Sequence, residues 1–333
     1  MTPSVSAPRP PRTAERLDAT LDFVVGRVRV VAEGPCARAV ARVVAAMGFA
    51  RAATDAHAPT LRFASADGLP TDRPPEEDLR ILSHDQARGY RADGGWRLWT
   101  PSARSRVTPA GGHADVGPGA HVSEVGWHLA TALHLLLRGR GAHGLHAAAV
   151  EAPAGGVLLV GPSDAGKSTL AYALARHGWP FVSDDSVLLH VRGDAVEAVA
   201  FRRRFGLDAD GRFPEIEAHA MPQPTAPGKW SVDVTSLCAG QGRAATVPRL
   251  VVLPRVADAA ESRVEPVRPA EAFGEVLSQI GTWRLDDAEA EVQFGLLARL
   301  LAQAPAVRLA TGRDVFSAPE RVAARLTVAL TAR

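Results

Sequence analysis

The sequence predicts an α/β protein in which a phosphate-loop core with a mixed sheet follows a smaller N-terminal α/β domain. Three observations predict this class. A strand-like run at residues 157–160 leads into a glycine-rich stretch, and a helix-like run at 170–175 follows it. Apolar runs over residues 145–151 and 156–160 are separated by a short Pro/Gly spacer, which indicates a hairpin. Alternating apolar residues before residue 115 indicate further short strands around one apolar helix.

The 333 residues divide into three predicted parts. Residues 1–14 are proline-rich and lack the apolar run of a signal peptide, so we expect a disordered leader. Residues 15–115 are expected to form the small α/β domain, and residues 120–333 the phosphate-loop domain. Residues 108–119 are dense in turn formers and are the best linker candidate.

Hydrophobic periodicity predicts the individual elements. Strands are expected over residues 21–31, 61–63, 96–99, 145–151, 156–160, 181–185, 186–191, 195–201, 247–254 and 263–267. Helices are expected over residues 37–47, 123–137, 170–175, 269–280, 288–302 and 319–331. Ser123 is the expected N-cap of its helix, and Pro269 suits the first turn of another.

Composition limits the class of partner. The chain is 46% hydrophobic and 22% charged with a formal net charge of +2, which gives no general case for nucleic-acid binding. The two cysteines, Cys36 and Cys238, have no metal-ligand spacing and suit a reducing compartment. No apolar run reaches the roughly 20 residues that a membrane helix needs. We therefore expect a cytoplasmic protein without nucleic-acid or membrane partners, and we leave homo-oligomerisation open.

Residues 161–169 satisfy the pattern G-x-x-x-x-G-K-[ST], which predicts a nucleoside triphosphate site, with ATP and Mg²⁺ as the expected ligands. Glycines allow the loop N–H groups to surround an anion, and the helix dipole adds positive field. Lys167 would reach the β- and γ-phosphates, and the Ser168 hydroxyl would bind Mg²⁺. The expected nucleotide-binding residues are Gly161, Pro162, Ser163, Asp164, Ala165, Gly166, Lys167, Ser168 and Thr169.

Two further features narrow the chemistry. Asp184 and Asp185 end a predicted strand, where a chain turn would let one carboxylate face Mg²⁺ and the other an attacking hydroxyl. The alternative is an exposed Asp-Asp turn. His146 begins the strand before the loop, so it could stabilise charge near the triphosphate or contact Asp184; the alternative is a satisfied strand histidine. His143, in a glycine-rich turn, is expected to be exposed.

The motifs of the other large phosphate-loop classes are absent from the sequence. An LSGGQ-type signature, which transport ATPases need, does not occur, and neither does the N/T-K-x-D motif of small GTPases. Residues 144–191 resemble the core of HPr kinase/phosphorylase and its relatives, which include serine kinases of lasso-peptide gene clusters. The resemblance rests on the order and spacing of His146, the phosphate loop and the Asp184-Asp185 pair.

The resemblance implies both fold and roles. The core would be of the type shared with phosphoenolpyruvate carboxykinase, with antiparallel elements beside the phosphate loop. Asp184 would be the base for a serine hydroxyl, and Asp185 with Ser168 would serve Mg²⁺ directly or through water. Lys167 would hold the β- and γ-phosphates, and His146 would lie beside the transferred group. Thr169 stands where the bifunctional enzyme usually has Glu, so phosphorolysis, HPr as substrate and hexameric assembly are not carried over.

These observations favour an ATP-dependent kinase acting on a Ser or Thr hydroxyl of a peptide or small protein. Two alternatives stay open: a kinase of free serine or another small hydroxyl metabolite, and a nucleotide-dependent switch or assembly ATPase. A carboxykinase-like decarboxylase is disfavoured because its additional ligands are not found. Lys229 and one of Arg202, Arg203 and Arg204 are candidates for further phosphate contacts, although the favoured interpretation of each is a plain surface cation.

Overall fold

The computed structural model describes residues 15–69, 82–84, 87–208, 210–223, 228–233, 237, 241–280 and 287–332. Its helices are α1 (Cys36–Met47), α2 (Val122–Arg138), α3 (Lys167–Arg176), α4 (Pro269–Ser278), α5 (Asp287–Gln303), α6 (Asp314–Ser317) and α7 (Pro319–Thr331), with a 3₁₀ helix at Pro214–His219. Cys238 and the predicted leader over residues 1–14 lie outside the described residues.

The N-terminal strands form one nine-stranded sheet in the order β3-β1-β2-β4-β9-β8-β7-β6-β5. These strands are β1 (Arg16–Phe23), β2 (Gly26–Glu33), β3 (Arg51–Ala52), β4 (Thr60–Ser65), β5 (Leu82–His84), β6 (Ala87–Ala92), β7 (Gly95–Thr100), β8 (Ala103–Thr108) and β9 (Gly111–Val116). Helices α1 and α2 contribute buried apolar residues to the same core cluster as this sheet.

Two sequence predictions fail in this sheet. The single strand expected over residues 21–31 is a hairpin, β1 and β2, which turns before Gly26 at φ +137°. The expected linker over residues 108–119 contains β9, which pairs with both β4 and β8. Its glycines allow the backbone of the neighbouring strand to approach closely, since a Cβ at Gly111 would lie 2.6 Å from the Thr60 carbonyl oxygen.

The remaining strands are β10 (Ala142–Leu145), β11 (Ala147–Ala152), β12 (Gly155–Val160), β13 (Phe181–Ser183), β14 (Val187–Arg192), β15 (Ala195–Ala200), β16 (Arg204–Asp208), β17 (Ala220–Pro222), β18 (Lys229–Asp233), β19 (Ala245–Thr246), β20 (Pro248–Val256), β21 (Arg263–Pro266) and β22 (Ala306–Thr311). They form a six-stranded sheet, β13-β11-β12-β20-β22-β21, a four-stranded sheet, β10-β14-β15-β19, and a three-stranded sheet, β16-β18-β17. The six-stranded sheet is mixed, since β12, β20 and β22 run parallel while β11, β13 and β21 pair antiparallel.

The six-stranded sheet is buried on both faces. Apolar residues of α3 and α7 pack with one face, and the four-stranded sheet packs with the other, together with α4 and α5. The predicted hairpin before the phosphate loop is confirmed as β11 and β12. The strand predicted over residues 145–151 is instead broken at His146, where the chain passes from β10 in one sheet to β11 in another.

Helix α2 joins the N-terminal core, although the sequence assigned it to the phosphate-loop part. Its residues Leu129, Leu133 and Leu136 are buried in the cluster that contains Leu21 and Val40. The core is therefore continuous across the proposed boundary near residues 115–120. The predicted cap is also wrong: His121 is the N-cap, and its side chain accepts a hydrogen bond from the Ser123 N–H. No helix among the described residues is long and apolar enough to cross a membrane.

Candidate functional site

The loop between β12 and α3 has the backbone that its glycines predict. Gly166, the N-cap of α3, adopts φ +88°, and Asp164 adopts φ +63°, a conformation uncommon for a residue with a side chain. Helix α3 begins at Lys167, so its unpaired N–H groups face the loop. This end of the helix is suited to an anion.

Lys167 is folded onto this loop. Its Nζ donates to the carbonyl oxygens of Gly161 at 2.7 Å and Pro162 at 2.8 Å, and the residue is 6% exposed. Burial lowers the pKa of the ammonium, while the charges of Asp185 and Asp184 act to raise it. The ammonium is therefore already directed at the interior of the loop, where phosphate oxygens would replace the carbonyls.

Asp184 and Asp185 lie in a tight turn because β13 ends one residue earlier, at Ser183. The fully buried Ser183 hydroxyl accepts from the N–H groups of Phe201 at 3.1 Å and Arg202 at 3.0 Å. It donates towards the carbonyls of Ser186 at 2.6 Å and Arg202 at 2.8 Å. The turn is thereby fixed to the end of β15, and Asp185 completes it at φ +64°.

Asp184 is fully buried, and one of its two oxygens is unused. Oδ2 accepts from the Gly206 N–H at 2.8 Å, whereas the buried Oδ1 has no hydrogen-bond partner among the described residues. Burial raises the pKa of this carboxyl, although the charge of Arg202 and a hydrogen bond with Ser168 act to lower it. A buried carboxylate with a free oxygen is suited to take up a proton or a metal ion.

Asp185 is in a different environment, with a side chain that is 54% exposed. Its Oδ1 lies 3.4 Å from Nε2 of His146, and its Oδ2 lies 3.3 Å from Nη1 of Arg202. Burial acts to raise the pKa of Asp185. The His146 hydrogen bond and the charges of Arg202 and Lys167 lower this pKa by more, so the net shift is downward. The two adjacent carboxyls therefore have pKa values shifted in opposite directions.

His146 faces Asp185 rather than Asp184. Its Nδ1 lies 3.1 Å from Oε1 of Gln279, and its backbone N–H donates to the Gln279 carbonyl at 2.9 Å. Gln279, the residue after α4, thus fixes the orientation of the His146 ring. His143 is not exposed as predicted: it is partly buried, and burial lowers its pKa to about 4.

Of the three consecutive arginines, only Arg202 enters the site. It is 5% exposed, and its Nη2 donates to Oε1 of Gln223 at 2.7 Å, while its buried Nε has no hydrogen-bond partner among the described residues. Arg204 instead donates to Ser231 and Asp233 on β18. The interpretation of Arg202 as a plain surface cation is therefore wrong.

Lys229 also lies at the loop. Its Nζ is 3.5 Å from Oδ1 of Asp164, and its side chain is 37% exposed. Asp164 itself is 84% exposed. Lys229 is therefore near enough to the loop to contact a bound anion.

Several of these groups line a cavity of about 720 Å³, which we call the central cleft. Its core side includes Ser163, Ser168, Asp184, Asp185, Arg202, Gln223 and Lys229. Its opposite side comes from the N-terminal part, where it includes Val43, Ala46, Met47, Thr100, Pro101, Ser123, Glu124 and Trp127. The N-terminal part is therefore a wall of the cleft.

Aromatic packing holds this wall against the core. Phe201, next to Arg202, stacks with Phe23 at 5.8 Å and meets Phe49 edge-on at 5.4 Å between ring centroids. The Ser231 hydroxyl donates to the Ala46 carbonyl at 2.8 Å. The N-terminal side and the core side of the central cleft are thus in direct contact next to Arg202.

The donor atoms around the central cleft fit Mg²⁺ bound together with a triphosphate. The Ser168 hydroxyl and the Asp185 carboxylate are oxygen donors, which Mg²⁺ prefers, and nucleotide phosphates supply the rest of such a shell. The described residues contain no cluster of three His, Cys, Asp or Glu side chains that would hold a metal without a nucleotide.

Sequence reasoning missed Ser183, Gln223, Gln279 and the wall residues. Gln279 contacts His146, and the Ser183 hydroxyl accepts from Phe201 and Arg202; these partners are far along the chain, so the sequence offers no local signal for the contacts. The burial of Arg202 had one possible signal: Phe201 precedes it, and an aromatic residue at a strand end favours packing over solvation.

No protein-family model matches this chain. No curated protein sequence matches it either. Among solved structures, the HPr(Ser) kinase/phosphatase from Coxiella burnetii is similar at 12% identity and a TM-score of 0.32, over 56% of this chain and 94% of that chain. A likeness this loose carries no argument about function, which is therefore argued from the residues of the central cleft.

Proposed function

We propose that this chain is an ATP-dependent kinase that transfers the γ-phosphate to a hydroxyl, with a Ser or Thr of a peptide or small protein as acceptor. One observation carries the proposal. The loop bearing Lys167 and Ser168 shares a cleft with two carboxylates whose pKa values are shifted in opposite directions. Such a pair separates the role of base from that of a permanently charged partner.

Asp184 is assigned as the base. Its Oδ1 takes the proton of the acceptor hydroxyl as the hydroxyl oxygen bonds to the γ-phosphorus, and the bond from that phosphorus to the β–γ bridging oxygen breaks. ADP leaves with the electron pair of that bond. The raised pKa of Asp184 makes it a better proton acceptor than an ordinary carboxylate.

The other groups bind and position the triphosphate. Lys167 exchanges its two loop carbonyls for β- and γ-phosphate oxygens. Arg202 faces the transferred group from the cleft floor, with its planar fork aligned by Asp185 and Gln223. Ser168 and Asp185 would hold Mg²⁺, which neutralises charge on the phosphates when bound.

The wall of the central cleft supports a peptide as acceptor. Met47 and Trp127, both partly exposed, present apolar and aromatic surface on this wall of the cleft. Free serine has no apolar side chain that could pack on this surface. A peptide carries further side chains on both sides of its Ser or Thr, and these could pack there.

The experiment measures transfer from γ-labelled ATP with Mg²⁺ to three acceptor conditions: short synthetic peptides with one Ser, free L-serine, and no acceptor. We expect labelled peptide from the wild type and a loss of roughly two to four orders of magnitude in Asp184→Asn. Thr20→Val, on β1 and away from the cleft, is the control and should label peptide normally.

Each other result contradicts the proposal in a distinct way. Labelled serine without labelled peptide would identify the metabolite kinase. ATP hydrolysis that no acceptor changes would identify the switch or assembly ATPase. Full transfer by Asp184→Asn would show that the base is another residue.

A further inference from the structure

We propose that the base of the bound nucleotide packs on Val256, beside the Asp258–Arg313 ion pair, at the carboxyl ends of β20 and β22. The inference rests on the proposed function, because it requires a triphosphate in the loop at residues 161–169. The residues of this subsite lie outside the phosphate-loop motif at residues 161–169.

The direction of the nucleotide follows from in-line transfer, in which the acceptor hydroxyl and ADP lie on opposite sides of the γ-phosphorus. The proposed base, Asp184, follows β13, at one edge of the six-stranded sheet. The loop follows β12, two positions inward, and the next strands are β20 and β22. ADP must therefore extend from the loop towards β20 and β22.

The ends of these strands are on the correct edge. Strands β12, β20 and β22 are parallel neighbours, so their carboxyl ends meet beside the loop. The crevice outside the carboxyl ends of parallel strands is where open α/β sheets bind ligands. Val256 is the last residue of β20 and pairs with Thr311, the last residue of β22.

Val256 has the surface that a base requires. It is 69% exposed, the largest value among the large apolar side chains in the described part of the chain. A Cβ built on Gly166 would lie 3.4 Å from its Cγ2, so the side chain adjoins the N-cap of α3. Leu250 and Val252, on the same face of the strand, are buried in the core cluster that includes residues of α3, which leaves Val256 as the exposed end of an apolar row.

A charged pair borders this surface. Nη1 of Arg313 lies 2.6 Å from Oδ1 of Asp258, and both side chains are well exposed, at 67% and 98%. A planar guanidinium stacks favourably on an aromatic ring, which suits Arg313 to the face or edge of a base.

The two loops that carry the charged pair are fixed to each other. Ala257 N donates to the Thr311 carbonyl and Arg313 N to the Ala259 carbonyl, each at 2.9 Å. Below them the buried Asp314 carboxylate accepts from the N–H and the hydroxyl of Ser262. The surface is therefore preorganised rather than a mobile loop tip.

The test is calorimetric binding of two ligands in the presence of Mg²⁺: ATP, and inorganic tripolyphosphate, which lacks the nucleoside. We expect Val256→Asn to weaken ATP about tenfold and to leave tripolyphosphate within about twofold of the wild type. Val328→Asn is the matched control, since Val328 is 66% exposed on α7 and should leave both affinities unchanged. Arg313→Gln should also weaken ATP selectively, by about threefold or more.

The proposal is overturned if Val256→Asn retains the wild-type affinity for ATP, or if it weakens both ligands equally. Lys167→Ala, measured in parallel, separates this outcome from failure of the proposed function, because it should weaken both ligands together. A wild type that binds neither ligand overturns the proposed function, and this subsite with it.

Discussion

Nε2 of His146 lies 3.4 Å from Oδ1 of Asp185, and this contact accounts for much of the low pKa of that carboxyl. His146→Ala should therefore raise the Asp185 pKa and reduce transfer by roughly ten- to hundredfold. A carboxyl with a lowered pKa stabilises the folded state at pH values above its ordinary pKa of 3.8. The difference in the free energy of unfolding between the wild type and His146→Ala should therefore be larger at pH 5 than at pH 3. Urea unfolding at pH 5 and pH 3 checks this, and a gap that widens at pH 3 contradicts it.

Asp184→Asn should increase stability while it abolishes transfer. Burial raises the Asp184 pKa above 3.8, so the ionised carboxylate costs stability at neutral pH; that cost declines as the pH falls through the raised pKa and is absent below 3.8. We expect the melting temperature of the variant at pH 7 to exceed that of the wild type by a few degrees, as a change of about 1 kcal/mol gives in a chain of this size. A variant that melts lower at pH 7 would mean that the carboxylate is stabilised where it lies.

Ser183→Ala should destabilise the turn that carries both carboxylates. The hydroxyl contacts two N–H groups and two carbonyls in the interior, so its loss should cost about 1–3 kcal/mol in urea unfolding. Thr20→Val is the control, because the buried Thr20 hydroxyl has no hydrogen-bond partner among the described residues and its removal should be nearly neutral. Equal effects of the two substitutions would contradict the role given to Ser183.

Arg202 should be needed for turnover rather than for acceptor binding. Arg202→Lys keeps the charge but loses the fork that joins Asp185 and Gln223, so we expect kcat to fall by roughly one hundredfold or more with little change in the acceptor KM. Arg203→Lys is the matched control, since its charge is influenced by Asp22 rather than by the carboxylates of the cleft. A rise in KM alone would assign Arg202 to acceptor binding.

The sequence predicted the elements that local pattern controls. The helix expected over residues 319–331 is α7 at the same bounds, and the loop before α3 has the glycine backbone that its motif requires. Asp184 and Asp185 share the site because β13 ends at Ser183, which was the condition set for their cooperation.

The failures share a physical cause, which is contact between distant segments. Gly111 and Gly112 were interpreted as turn formers, but they are small because neighbouring strands approach them closely. Arg202 was interpreted as a surface cation. Its neighbour Phe201 packs on Phe23 and Phe49, so Arg202 is buried. Local propensity carries no information about either contact.

The chain crosses between the same two sheets twice at the proposed site, through His146 from β10 to β11 and through Asp184 and Asp185 from β13 to β14. The His146–Asp185 distance is therefore set by how those sheets are stacked. Small sliding of one sheet over the other would alter this distance before it disturbed the loop at residues 161–169. Substitutions of Leu158 or Leu189, buried between the sheets, are thus a route to variants that hold nucleotide normally but transfer its phosphate slowly.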